Sequence, residues 1–147
     1  MKQKAIICDL DGTLANIDHR LHYLRQTPPN WPSFMSEVKD DQMNLWCQEI
    51  LLAFTQKDYK IVLISGRGEE SREGTEEWLK RHQVPYEILL LRAAKDYRPD
   101  DIIKQELYAG HVRDRYDVLF VLEDRLSVVR AWREMGLVCL QCDWGNF

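Results

Sequence analysis

The sequence predicts an α/β fold: a parallel five-stranded sheet with helices on both faces and a small cap insertion after the first strand. Three observations carry this. Short apolar runs of strand length alternate with longer stretches of helical periodicity. The runs are continuous rather than alternating, the pattern of strands buried on both faces. Three of them end in residues that carry chemistry, as expected where a parallel sheet builds its site outside the carboxyl ends of its strands.

Taken in order, Lys4–Leu14 opens with the apolar run Ala5-Ile6-Ile7-Cys8, ends in Asp9-Leu10-Asp11 and breaks at Gly12-Thr13. A buried strand seldom ends in two carboxylates one residue apart, because each loses its hydration on burial unless something compensates it. Residues 15–40 are polar and interrupted by Pro28, Pro29 and Pro32, and form the insertion. It carries Arg20, Tyr23, Trp31 and Phe34, and its aromatic rings are expected mostly to pack on the domain. Whether Trp31 or Tyr23 stacks on a base is open at this point. Over 41–57, Leu45, Trp46, Ile50, Leu51 and Phe54 recur at helical spacing, with Trp46 expected in the core and Asp40 or Asp41 as the cap.

The second strand, residues 60–65, ends in Ser65-Gly66-Arg67-Gly68. A helix over 69–83 follows, with a solvated glutamate face, and Pro85 stops it. Tyr86–Leu91 is the third strand, and 92–99 is a loop rich in Arg, Lys and Asp. Pro99-Asp100-Asp101 opens the next helix, which holds Lys104. The fourth strand, Val118–Leu122, ends at Glu123-Asp124. A helix over 125–136 ends at Gly136, and Val138–Cys142 is the last strand. No boundary divides the chain, so residues 1–147 read as one domain.

Composition narrows the classes. A net charge of −4 argues against bulk electrostatic binding of nucleic acid, while leaving room for recognition of one phosphate in a local basic pocket. No apolar stretch approaches membrane-spanning length, and no secretory signal is visible. Cys139 and Cys142 have CxxC spacing, but no second pair completes a zinc site, and both read as buried thiols. Free thiols point to a reducing, cytoplasmic setting.

The residues at the strand ends suit phosphoryl transfer. Asp9 can attack phosphorus as a carboxylate nucleophile, and Asp11 can protonate the leaving oxygen and then activate water. Two carboxylates and a phosphate repel by about 4 kcal/mol per pair at 4 Å even with an effective dielectric near 20, so a cation is required. Mg²⁺ suits an all-oxygen site, with Asp124 the natural further ligand beside Asp9 and Asp11. Ser65 and the Gly66 amide can bond phosphate oxygens, and Lys104 can neutralise charge on the transferred group. Asp100, one helical turn before Lys104, is placed to hold its ammonium. Arg20 and Arg67 are planar donors able to grip phosphate.

These residues resemble the haloacid dehalogenase superfamily: Asp9-Leu-Asp11-Gly12-Thr13, then Ser65, Lys104 and Glu123-Asp124, each after its expected element. Within it, the chain is similar to the 3′-phosphatase domain of bacteriophage-type polynucleotide kinase-phosphatases. Arg20 nine residues after Asp11, Ile64-Ser65-Gly66-Arg67, Arg98-Pro-Asp100-Asp101-Ile-Ile-Lys104, Glu123-Asp124-Arg125 and the closing Gly145-Asn146-Phe147 carry that likeness. The resemblance implies a Rossmann-like sheet, Asp9 as nucleophile, Asp11 as general acid/base, and Mg²⁺ held by Asp124 and the Asp11 main chain. It also implies phosphate binding by Ser65, Arg67 and Lys104, Arg20 near the substrate, and Asp100 positioning Lys104. Glu123 stands where the family usually has Asp, which leaves its metal or supporting role open; Asn146 stands where an acid is more usual.

The expected activity is removal of 3′-phosphate from DNA or RNA ends. The alternatives are a phosphatase of free nucleotides or other small phosphate esters, a phosphotransferase using the same intermediate, and a non-catalytic module that binds phosphorylated ends. No GxxxxGK[ST] loop occurs, so a 5′-kinase or ligase is expected, if at all, as a separate partner.

Overall fold

The structure is a computed structural model that describes residues 1–147. The first strand, β1 (Gln3–Cys8), is followed by the two-residue β2 (Ala15–Asn16), a 3-10 helix (Asp18–Arg25), α1 (Trp31–Ser36), a second 3-10 turn (Val38–Asp40) and β3 (Gln42–Met43). The chain then alternates: α2 (Leu45–Gln56), β4 (Lys60–Gly68), α3 (Arg72–Arg81), β5 (Ile88–Arg92), α4 (Asp100–His111), β6 (Tyr116–Glu123), α5 (Leu126–Glu134) and β7 (Cys139–Gln141).

The main sheet is five-stranded, in the order β5-β4-β1-β6-β7, and every pair in it is parallel. The central strand alternates between two cores. Ile6 and Cys8 pack with Leu51, Leu63, Trp78 and Leu79 on one face. Ala5 and Ile7 pack with Val62, Ile64, Tyr108, Val129 and Trp132 on the other. Helices α2 and α3 thus cover one face and α4 and α5 the other, which is why the buried part of β1, Ala5–Cys8, is apolar throughout. The chain moves outward from β1 through β4 to β5 and then returns to β6 on the opposite side. That reversal places a crevice beyond the carboxyl end of β1, the usual position of a ligand in such sheets.

The insertion is built, not irregular. Asn16 pairs with Gln42 and Ala15 with Met43 in a short antiparallel ribbon that closes its base. Four sequence-based expectations change here. The helix after the insertion begins at Leu45, so neither Asp40 nor Asp41 caps it. Trp46 lies on the solvent side of α2, while Cys47 and Leu51 make the buried stripe. Cys139 is buried in β7, but Cys142 just beyond it is exposed; both are free thiols. β4 also runs on to Gly68, past the expected end at Ser65.

Candidate active site

Residues from the ends of three neighbouring strands meet in the crevice. Asp9 follows β1, Ser65 lies in β4, and Glu123-Asp124 close β6; all four are buried. The Asp9 amide donates to the Leu122 carbonyl at 3.0 Å, so the turn after β1 is tied to β6. Gly12 makes this turn with φ +83°, and a Cβ there would fall 2.1 Å from Asp124 Oδ2. Glycine is therefore required twice over, for its backbone and for the space.

Asp9 is held on both oxygens. Lys104 Nζ donates to Oδ1 at 2.8 Å, and Thr13 Oγ1 donates to Oδ2 at 2.9 Å. The same ammonium donates to Glu123 Oε2 at 2.9 Å and Oε1 at 3.2 Å. Burial alone would lower the Lys104 pKa, but the charges of Asp9 and Glu123 outweigh it and raise the pKa above its ordinary value. Lys104 is thus a fixed cation. Ser65 Oγ accepts from the Arg67 amide at 3.1 Å, which leaves its hydroxyl proton available.

One ammonium does not balance what surrounds it. Carboxylate oxygens of Asp9, Glu123 and Asp124 all lie within 4.8 Å of one another. Burial, then the neighbouring Asp9 charge, pushes Asp124 up to about 9. Burial and Asp9, opposed by Lys104, push Glu123 up to about 7. A buried all-oxygen cluster with surplus negative charge fits a hard divalent cation such as Mg²⁺. Asp9, Glu123 and Asp124 each offer a carboxylate oxygen that could hold such an ion. The Asp11 carboxylate is not part of this cluster.

Asp11 instead faces two arginines. Its Oδ1 accepts from Arg20 Nη2 at 2.8 Å, from Arg67 Nε at 3.0 Å and from Arg67 Nη2 at 2.5 Å. Burial would raise its pKa, but the Arg67 and Arg20 charges prevail and hold it at about 2. Oδ2 has no protein partner, and the side chain remains a quarter exposed. The two guanidinium groups, expected from the sequence to grip phosphate, are here bonded to carboxylates of the protein. Arg20 is wholly buried over the Phe34 ring and donates twice to Asp41, at 2.8 and 2.7 Å. Arg67 also reaches Asp41 at 3.2 Å and Thr75 at 3.0 Å. Both guanidinium groups thereby hold Asp11 Oδ1 in place.

Asp41 was missed as a site residue by sequence reasoning. Its carboxylate binds Arg20, Arg67 and His19, and its carbonyl accepts from Trp78 Nε1 at 2.8 Å. No local signal marks it, since an Asp before an apolar helical run reads as a cap. Asp100 also differs from expectation. It makes no hydrogen bond to Lys104; Arg92 Nη2 donates to its Oδ1, and Arg125 Nη1 donates to Oδ2 at 2.9 Å. It lies against the Gly66 backbone, where a Cβ would fall 2.6 Å from its Oδ1.

A model of the polynucleotide kinase PNKP phosphatase domain matches residues 3–147. The chain belongs to that family. It is a phosphatase domain of the haloacid dehalogenase type. A chain of the Pnkp1/Rnl/Hen1 complex is 39% identical, with a TM-score of 0.88 over 99% of this chain and 48% of its own length. A polynucleotide kinase/RNA ligase of Autographa californica nuclear polyhedrosis virus is 29% identical over 138 residues, 91% of this chain and 18% of its own length. This chain thus spans less than half of either relative. A class C acid phosphatase from Bacillus anthracis shares the fold, with a TM-score of 0.69 at 19% identity over 92% of this chain and 62% of its own length. No helix of this PNKP-type domain is long and apolar enough to cross a membrane.

Proposed function

We propose that this domain hydrolyses 3′-phosphate monoesters at DNA or RNA ends through an aspartyl-phosphate on Asp9. The observation that carries the reading is Asp9 itself, a buried carboxylate at a strand end held between Lys104 and Thr13 in a PNKP-type phosphatase domain.

In the first half-reaction an Asp9 oxygen attacks phosphorus as the P–O3′ bond breaks, and Asp11 gives a proton to the leaving 3′ oxygen. In the second, water attacks phosphorus, Asp11 takes its proton, and Asp9 is released with inorganic phosphate. Asp11 Oδ2 carries that proton, because Oδ1 is filled by guanidinium donors. In the free protein Asp11 is ionised; an incoming phosphate brings negative charge beside it and raises its pKa toward a donating value. Lys104 and the Ser65 hydroxyl stabilise charge on the transferred group, together with the Gly66 amide. Arg20 and Arg67 keep Asp11 in line, and Asp100 is held beside Gly66 by Arg92 and Arg125. Mg²⁺ bound at Asp9 and Asp124 would screen the phosphate from the carboxylates.

The Pnkp1/Rnl/Hen1 complex and the viral kinase/ligase support a kinase or ligase acting together with this domain. Four free thiols support a reducing, cytoplasmic setting. The deciding experiment measures phosphate release from matched oligonucleotides carrying a 3′- or a 5′-phosphate, with Mg²⁺ or EDTA, beside Asp9→Asn. Release from the 3′ end alone, dependent on Mg²⁺ and Asp9, is expected. Turnover of a small phosphate ester without either oligonucleotide would replace this reading with that of a small-ester phosphatase.

A further inference from the structure

Residues 142–147 form a short segment pinned against the candidate active site while its tryptophan is left in solvent. The Leu126 amide at the start of α5 donates to the Gly145 carbonyl at 2.9 Å. Gly145 adopts φ +62°, and a Cβ there would fall 1.8 Å from the Asp124 carbonyl oxygen, so the tail backbone touches the residue proposed to hold the cation. Gln141 Nε2 donates to the Trp144 carbonyl at 3.1 Å, and the Trp144 amide donates to Asp143 Oδ1 at 2.6 Å. The Phe147 ring lies 5.3 Å from the Arg125 guanidinium, which itself holds Asp100. On the other side, Cys142 Sγ is 3.6 Å from Thr13 Oγ1, the hydroxyl that holds Asp9.

Between these anchors the Trp144 side chain is left free: the residue is 87% exposed. An isolated exposed tryptophan is ordinary. Here the backbone on both sides of it is fixed, and Trp144 lines an open recess of about 330 Å³ with Gln141, Cys142 and Asp143, of which Cys142 reaches the Thr13 hydroxyl that holds Asp9. The aromatic rings of the insertion are more engaged. Tyr23 gives its hydroxyl to Glu37, and Trp31 packs edge-on against Phe34.

We propose that Trp144 is a stacking platform for a base of the single strand whose 3′-phosphate enters at Asp9. This rests on the polynucleotide-end reading and names the part of the substrate that the phosphate site cannot recognise. A flat aromatic face suits a nucleobase of any identity, so the contact confers preference for polynucleotide ends over small esters without sequence specificity. It also gives a domain of net charge −4 a means of holding a nucleic-acid end other than bulk electrostatics.

The test compares wild type, Trp144→Ala, Trp144→Phe and Trp31→Ala on a 3′-phosphorylated single-stranded oligonucleotide and on p-nitrophenyl phosphate. In Trp144→Ala the KM for the oligonucleotide is expected to rise roughly 5- to 100-fold, with both constants for p-nitrophenyl phosphate unchanged. Trp144→Phe is expected to recover most of the loss. An unchanged oligonucleotide KM in Trp144→Ala, a rise confined to Trp31→Ala, or an equal loss on both substrates would overturn the platform and leave the phosphatase reading intact. Wild type that turns over p-nitrophenyl phosphate and no oligonucleotide would overturn the polynucleotide-end reading and the platform with it.

Discussion

Lys104 Nζ lies 2.8 Å from Asp9 Oδ1, across 95 residues of sequence, and both side chains are buried. The pair places a permanent positive charge on the carboxylate proposed to attack phosphorus. It is also the sole cation bonded within the buried cluster of Asp9, Glu123 and Asp124. Lys104→Met is expected to lower kcat by roughly 10²- to 10³-fold through loss of charge stabilisation. It also leaves buried carboxylates uncompensated, an effect of about 3–5 kcal/mol in comparable cases. Chemical denaturation in EDTA and steady-state kinetics in Mg²⁺ measure the two effects separately. Unchanged stability in EDTA would show that the cluster is neutralised by protons instead.

Asp9→Asn keeps the size of the side chain and its bond to Thr13 but removes the nucleophile. Phosphate release from any ester is expected to fall by roughly 10³-fold or more. Acid quench of wild type with a 3′-³²P-labelled oligonucleotide is expected to trap label on the protein, and the variant should trap none. Full label retention in Asp9→Asn would move the nucleophile elsewhere.

Asp41 touches no reacting atom, yet two arginines that orient Asp11 rest on it. Asp41→Asn is expected to lower kcat by roughly 10²-fold, the scale of a misplacement near 1 Å, with a smaller change in KM. The loss should be less severe for substrates with good leaving groups, such as p-nitrophenyl phosphate, which need little help from a general acid. An equal loss on good and poor leaving groups would argue that Asp41 is only structural.

The raised pKa of Asp124, about 9, has a definite sign in metal binding. Below that value the proton and Mg²⁺ compete for the carboxylate, so affinity for Mg²⁺ should tighten as pH rises from neutrality toward 9. Without the cation the same shift acts on folding. A group with a raised folded pKa contributes stability that is complete below its unfolded value and is lost as pH rises through its folded value. The melting temperature in EDTA should therefore fall progressively as pH rises from about 4 to about 9, and Mg²⁺ should restore it. Calorimetric titration at several pH values checks the first statement, and Asp124→Asn should weaken the pH dependence, leaving the part that Glu123 contributes.

Asp11 behaves in the opposite sense. Its pKa is lowered from 3.8 to about 2. Its contribution is therefore fully present above the unfolded value and is lost as pH falls through the folded one, a difference of about 2 kcal/mol. Between about pH 4 and about pH 2 wild type is expected to lose more stability than Asp11→Asn by that amount. Parallel denaturation curves for the two proteins over this window would show that the arginines do not hold the Asp11 proton off.

Where chemistry lay in contiguous residues, it was legible in the sequence. Ala5–Cys8 announces a strand buried on both faces because only apolar side chains fit there, and Asp9-Leu10-Asp11-Gly12-Thr13 announces a site because nothing else justifies two carboxylates at its end. Ser65, Lys104 and Glu123-Asp124 followed from their places after or between the elements of an alternating pattern. What the arginines do was decided by tertiary structure alone. Arg67 and Asp11 are 56 residues apart, and Arg20 reaches both Asp11 and Asp41, so their partners depend on how the insertion folds over β4. Asp41 and Asp100 read as a cap and a local ion pair because sequence spacing reports only neighbours on one helix. Burial changed their partners, since each buried charge takes the nearest opposite charge that packing brings to it, whatever their separation along the chain.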